Sequence, residues 1–166
     1  MDGPPRVAPL RAAEGWGIPV VLILAGFLAY APASDAPFVW DTHLYFLREA
    51  DEGIRFPTLA SRSLVQFTMQ VNRFLGGLHP GGYHGFNLAV HVASALALAG
   101  IVRRTLRTER LRPAWGGRAD ASALASALLW LLHPLQTQSV TYIIQRAEGM
   151  AGLCVLLTLY CFLRGA

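Results

Sequence analysis

Lysine is missing from this sequence, cysteine occurs only twice, and charge of either sign is absent from long stretches. Two cysteines cannot build the disulfide framework of a small secreted domain, and Cys154 and Cys161 lack metal-knuckle spacing. They lie on one face of an apolar helix and read as packing residues, because buried cysteine behaves as a small hydrophobe. Charged residues make up 14% of the chain, against about a quarter of an ordinary soluble domain. That deficit is concentrated. Glu14 and Asp35 bracket 20 residues without formal charge, Arg73 and Arg103 bracket 29, and Asp120 and Arg146 bracket 25. A further apolar run between Arg146 and Arg164 is broken only by Glu148.

A helix needs roughly 20 mostly apolar residues to cross about 30 Å of hydrocarbon. The chain therefore reads as an all-α, polytopic integral membrane protein with about four transmembrane helices, at 16–33, 83–102, 120–134 and 148–164. A tail over 1–15 precedes them. An outer loop covers 34–82, and a basic loop covers 103–119. The net charge of +4 does not point to nucleic acid. Its densest part, "RRTLRTERLRPAWGGR", lies between two apolar spans, where Arg marks the cytoplasmic side. Arg6, Arg11, that loop and Arg164 hold nine of the 14 arginines, so the N-terminus is expected in the cytoplasm. Arginine without lysine, beside abundant Ala and Gly, points to a GC-rich and bacterial genome, hence to the plasma (bacterial inner) membrane. The "AYAPA" stretch after the first span loosely resembles a signal-peptidase site, but an uncleaved anchor is expected.

The outer loop carries structure of its own. In "SRSLVQFTMQVNRFL", Leu64, Phe67, Val71 and Phe74 share one helical stripe, opposite Arg62, Gln66, Gln70 and Arg73. That alternation predicts a helix lying in the membrane interface. "GGLHPGGYHG" then breaks the chain before the second span.

Polar groups gather at the outer ends. In "YHGFNLAVH", His84, Asn87 and His91 fall on one helical face. In "LLHPLQTQSVTYIIQRAEG", His133, Gln136, Gln138, Tyr142, Arg146 and Glu148 cluster between the last two spans. Asp41, in "PFVWDTHLYF", is expected beside them. Taken singly, each has an ordinary explanation. Tyr83, His84 and Tyr142 suit the headgroup belt, Arg146 and Glu148 could form an interfacial pair of little energetic value, and Pro134 could simply end a helix. Together on one side they point to a site, since ionisable groups in membranes usually face a bundle interior or a water-filled path. From Asp120 to Pro134 is only about 21 Å of helix, which puts His133 slightly below the outer surface. His84 and His91 are seven apart, not the four that lets two imidazoles grip one zinc on a helix. A haem held by His91 and His133, in a redox carrier or transporter, is the metal alternative.

The ordered series "FVWD", "SRSLVQFTMQVNRFLGG", "GYHGFNLAVHVASALAL" and "HPLQTQSVTYIIQRAEGMAGLCVLLTLY" resembles the N-terminal membrane region of the transmembrane and TPR repeat-containing O-mannosyltransferases. These are members of the GT-C superfamily of membrane glycosyltransferases. The resemblance covers about residues 16–166. It implies transfer of a sugar, commonly mannose, from a polyprenyl-phosphate donor to a hydroxyl acceptor on the extracytoplasmic face. The acid of the first outer loop, matched here by Asp41, is then the base. Arg62 and Arg146 become the candidates for the phosphate, because a guanidinium fork can hold two phosphate oxygens. His84, Asn87, His91, His133, Gln138, Tyr142 and Glu148 become polar lining of the substrate site. Relatives often carry a second acid where this chain has Thr42, and Thr-Glu where it has Thr137-Gln138. Both differences remove a carboxylate from any divalent-metal site and leave Asp41 as the candidate base. The family pattern also implies further helices and TPR repeats, so the chain is expected to be a fragment. A non-catalytic scaffold that binds lipid or a partner is the rival reading.

Overall fold

Seven α-helices and no β-strand make up the described residues, 17–39, 42 and 62–165, of this computed structural model. In chain order they are α1 (Gly17–Tyr30), α2 (Ser63–Gly76), α3 (Pro80–Leu106), α4 (Arg112–Trp115), α5 (Ala119–Leu131), α6 (Thr137–Thr141) and α7 (Arg146–Gly165). Asp41 lies outside the described residues, as do the tail over 1–15 and residues 43–61 of the outer loop.

Local chemistry sets the boundaries. Pro80 opens α3 at its first position, where a missing N–H costs nothing. Arg103 and Arg104 occupy the last turn of α3, where cations complement the helix dipole. Gly77 closes α2 with φ 62°, a conformation glycine adopts without a Cβ penalty. Asp120 sits in the first turn of α5, and Pro134 prevents that helix from continuing by removing a backbone donor.

α3 is the central helix, with α1, α5 and α7 packed around it. Its contact with α5 is a seam of alanines. Ala95, Ala123 and Ala127 are 0% exposed and Ala99 is 4%. Such small residues let two backbones approach closely, which is how helices associate where no hydrophobic effect separates protein from lipid. Leu22, Val92 and Leu131 complete this core. Glycines serve the other contacts: a Cβ at Gly26 would stand 2.8 Å from Val92 Cγ2, and one at Gly100 would stand 2.6 Å from the Tyr160 ring.

The packing sorts the helix ends into two groups. Arg103 of α3 and Arg107, the residue that caps it, meet Asp120 of α5 at one end, where Arg104 also stacks over Tyr160 of α7. Tyr30, the start of α3, Leu131 and Arg146 gather at the other. All the arginines of 103–118 thus lie at the far end from His84, Asn87 and Arg146.

The all-α expectation holds, but four spans of full membrane length do not. Two segments are long and apolar enough to cross a membrane, Pro80–Leu106 with 27 residues and Ile143–Gly165 with 23. α1 has 14 residues and α5 has 13, or about 20 Å each at 1.5 Å per residue. The reason is local. A 3-10 turn over Ala31–Ala33 follows α1, and His133-Pro134 ends α5 in another 3-10 turn, Pro134–Gln136. Both short helices nevertheless present bare apolar side chains: Leu24 is 55% exposed, Phe27 60%, Leu28 73% and Leu129 75%.

One further expectation changes. Cys154 and Cys161 are exposed on α7 rather than packed inside. α2 forms where the sequence places an amphipathic helix, and its uncharged polar residues Thr68 and Asn72 turn inward with Met69. Leu64 and Phe74 of the anticipated apolar stripe are left 50% and 75% exposed.

Candidate functional site

A charged residue buried away from water needs acceptors for its donors, and Arg146 has four of them. It is 1% exposed, at the first position of α7. Its Nε donates to Asn87 Oδ1 at 2.9 Å, and Nη1 donates to Asn72 Oδ1 at 2.8 Å and to Thr68 Oγ1 at 3.2 Å. Nη2 donates to the Tyr83 carbonyl at 3.2 Å. The guanidinium also lies over the Phe86 ring, 4.2 Å from its centroid. A guanidinium has five N–H donors, so these four bonds to neutral oxygens engage most of its fork. One side chain thereby ties α2, α3 and α7 together.

Asn87 extends the network. Its Nδ2 donates to the carbonyls of Val140 and Ile143, both at 3.4 Å. Those carbonyls sit where α6 gives way to the 3-10 turn Ile143–Gln145, outside continuous helical pairing. Sequence reasoning passed over Thr68 and Asn72, although Asn72 makes the shortest of these bonds. Their spacing of four with uncharged polar character was the available signal.

The two histidines of α3 are both buried, and each meets a backbone carbonyl. His84 Nε2 lies 3.1 Å from Ala36 O, and His91 Nε2 lies 3.0 Å from Leu131 O. A carbonyl only accepts, so Nε2 carries the proton in both rings. The Leu131 carbonyl is left over because α5 stops there. It receives a second donor, the Tyr30 hydroxyl, at 3.1 Å. His91 also packs edge-on to Tyr30 and at 4.6 Å from the Trp130 ring. The Nδ1 of His84 is buried with no hydrogen-bond partner among the described residues, as is Oγ1 of Thr42, the residue after Asp41.

Two hollows adjoin these groups. A crevice of about 70 Å³ is lined by Asn87, His91, Ser94, Gln136, Ser139 and Glu148, with Trp130 and two glycines of α7. It has room for a few waters or ligand hydroxyls, and seven of its nine lining residues carry a side chain that can hydrogen-bond, set in an otherwise apolar wall. A second hollow of about 250 Å³ lies between α1 and the start of α3, walled by Phe27, Tyr30, Leu88 and Val140 with His84 and Ser34.

Of the residues singled out from sequence, Asn87, His91 and Glu148 share the crevice, and Arg146 bonds directly to Asn87. His84 belongs to the second hollow. Arg62 stands apart, exposed at the N-cap of α2 with φ 62°. His133 and Gln138 are exposed and Tyr142 is half-buried. His133 Nδ1 accepts from Leu135 N–H at 3.3 Å, which caps the turn after α5. Among the described residues no three His, Cys, Asp or Glu side chains group as a metal site would require.

Comparison with known proteins gives one consistent group. Protein O-mannosyl-transferase Tmtc3 of Drosophila melanogaster is 31% identical over 104 residues, which is 57% of this chain and 11% of that protein. Protein O-mannosyl-transferase TMTC4 of Homo sapiens is 31% identical over 110 residues, 60% of this chain and 14% of its own length. Protein O-mannosyl-transferase Tmtc2 of Drosophila melanogaster is 30% identical over 159 residues, covering 83% of this chain and 16% of the relative. The chain thus spans only about a tenth to a sixth of the curated relatives it matches. No protein-family model matches it, and no solved structure is significantly similar.

Proposed function

As a relative of the protein O-mannosyl-transferases of the TMTC family, this chain, we propose, forms part of a membrane glycosyltransferase. The activity transfers a sugar, mannose by analogy with the relatives' names, to a hydroxyl acceptor. The donor is a polyprenyl-phosphate-linked sugar presented at the extracytoplasmic side. The single observation that carries this reading is the shared identity with proteins of one named activity over most of the chain.

Two physical features support it. The bare apolar side chains of α1, α5 and α7 suit lipid around the bundle. In that reading the two short helices cross with their ends recessed, and the N-terminus is cytoplasmic in a bacterial inner membrane. α2 then lies in the interface with Leu64, Phe74 and Leu75 toward lipid and Thr68 and Asn72 toward Arg146. The hydrogen-bonding crevice beside that hub suits sugar hydroxyls.

In the proposed chemistry Asp41 takes the acceptor proton as the hydroxyl attacks the anomeric carbon, and the lipid phosphate leaves. Arg62, exposed at the start of α2, is the candidate to meet the phosphate charge. Arg146 acts as framework, fixing Asn87 and the crevice wall, because its fork is largely engaged. That engagement, with Thr42 and Gln138 in place of acids, also favours one rival: a non-catalytic scaffold that binds lipid or a partner.

Asp41→Asn in the full-length protein separates the two. Transfer from polyprenyl-phosphate mannose in membrane vesicles should fall about 10²-fold or more with insertion intact. Undiminished transfer removes Asp41 as the base, and wild-type vesicles without any transfer support the scaffold. Cysteine labelling, in a chain with Cys154 and Cys161 replaced by Ser, tests the topology. Positions 41 and 110 should react from opposite sides of the membrane.

A further inference from the structure

The turn between α3 and α5 carries more positive charge than its contacts use. Residues 103–120 hold six arginines against Glu109 and Asp120. Arg103 and Arg107 pair with Asp120 at 2.6 and 2.9 Å, and Arg104 lies 5.2 Å over the Tyr160 ring. Arg110, Arg112 and Arg118 are exposed, and no ion pair engages them among the described residues. Arg107 gives only Nη2 to the carboxylate, which leaves the rest of its fork available.

This charge has a concave shape around it. Arg107, Arg112, Gly116 and Gly117 line a shallow hollow that is wide open to its surroundings. Gly116 is bare for a reason, since a Cβ there would stand 2.9 Å from Arg112 Cγ. Its absence lets the Arg112 stem fold back across the turn. At Gly117 a Cβ would meet nothing within 4 Å, so the glycine leaves that wall open. Trp115, at the end of the short α4, is 46% exposed. An indole of this kind settles at the headgroup level of a bilayer.

We propose that this hollow binds the phosphate of an anionic phospholipid headgroup, clamped between Arg107 and Arg112 with Trp115 resting at the acyl boundary. Two planar guanidiniums match non-bridging phosphate oxygens. Basic pockets at the cytoplasmic ends of spanning helices are suited to such headgroups. A signal for topology alone requires positive charge but neither the hollow nor the glycine that seats Arg112. Free phosphate shares the chemistry, and the exposed indole of Trp115, next to Gly116, favours the lipid source. The inference stands apart from the sugar-transfer reading, because it uses the opposite end of the bundle.

The test is quenching of Trp115 fluorescence in the full chain, purified in detergent micelles containing brominated phosphatidylglycerol or brominated phosphatidylcholine. Trp115→Phe identifies the signal. The anionic lipid should quench at about fivefold lower mole fraction than the zwitterionic one, the effect of one well-placed arginine. Arg112→Gln should abolish that preference, and Gly116→Ala should weaken it at unchanged net charge by displacing the Arg112 stem. Arg110→Gln, outside the hollow, should keep most of it. Equal quenching by both lipids overturns the proposal, as does an equal loss in Arg110→Gln, which would mean diffuse attraction only. Displacement of the lipid by inorganic phosphate or by RNA would assign the hollow to a soluble ligand instead.

Discussion

Arg146 and Asn87 fix each other's orientation. Arg146 Nε–H can only donate, so Asn87 must present Oδ1, and it does so at 2.9 Å. The amide NH₂ is thereby aimed at the Val140 and Ile143 carbonyls. Neither residue can rotate without stranding the other inside a site that water does not reach.

Removing either partner should therefore cost more than the bonds it makes. Arg146→Gln and Asn87→Ala are each expected to destabilise the protein by about 2–4 kcal/mol, since a buried group left unpaired bears its desolvation penalty. The double variant should lose less than the sum, with a coupling of about 1 kcal/mol or more. Thermal unfolding of the four proteins in detergent measures it. Strict additivity would mean that the two side chains act independently.

Asp120 supplies the contrast. It holds Arg103 and Arg107 at 2.6 and 2.9 Å, yet these side chains are 33% and 47% exposed and its own is 43% exposed. Solvent screens such pairs, so Asp120→Asn should cost less than about 1 kcal/mol. An unfolding midpoint close to wild type, beside a clear drop for Arg146→Gln, is the expected pattern.

The Leu131 carbonyl has two donors, the Tyr30 hydroxyl and His91 Nε2. Tyr30→Phe removes one and leaves the other, for an expected loss of about 0.6 kcal/mol, the average for such bonds in membranes. Combining it with His91→Phe strands the carbonyl and should cost about 1–3 kcal/mol. Faster hydrogen exchange at the end of α5 in the double variant, but not in Tyr30→Phe alone, is the corresponding readout.

Gly100 lets Tyr160 lie directly on α3, where a Cβ at position 100 would stand only 2.6 Å from the ring. Gly100→Ala should push the ring outward and cost about 1–3 kcal/mol as overpacking does. It should also loosen Arg104, which rests on that ring. Near-ultraviolet circular dichroism reports the tyrosine, and an unchanged spectrum with unchanged stability would contradict the close contact.

Much of this molecule was legible in the sequence because its signals are local. Uncharged runs, Pro80, Pro134 and the Arg-rich turn set which segments are helical and where they stop, since those outcomes depend on hydropathy and on single backbone donors. The ordered polar phrases likewise placed His84, Asn87, His91 and Arg146 toward one end. What the tertiary structure decided was which of these groups meet and which are consumed by meeting. Arg146 reads in sequence as a free cation for a phosphate, and only packing brings Asn72, Thr68 and the Tyr83 carbonyl around it. The inward turn of Thr68 and Asn72, which the alternation of apolar and polar residues along α2 does not single out, has the same origin. A helix pattern states that two faces differ, but a buried charge on a neighbouring helix determines which face turns inward.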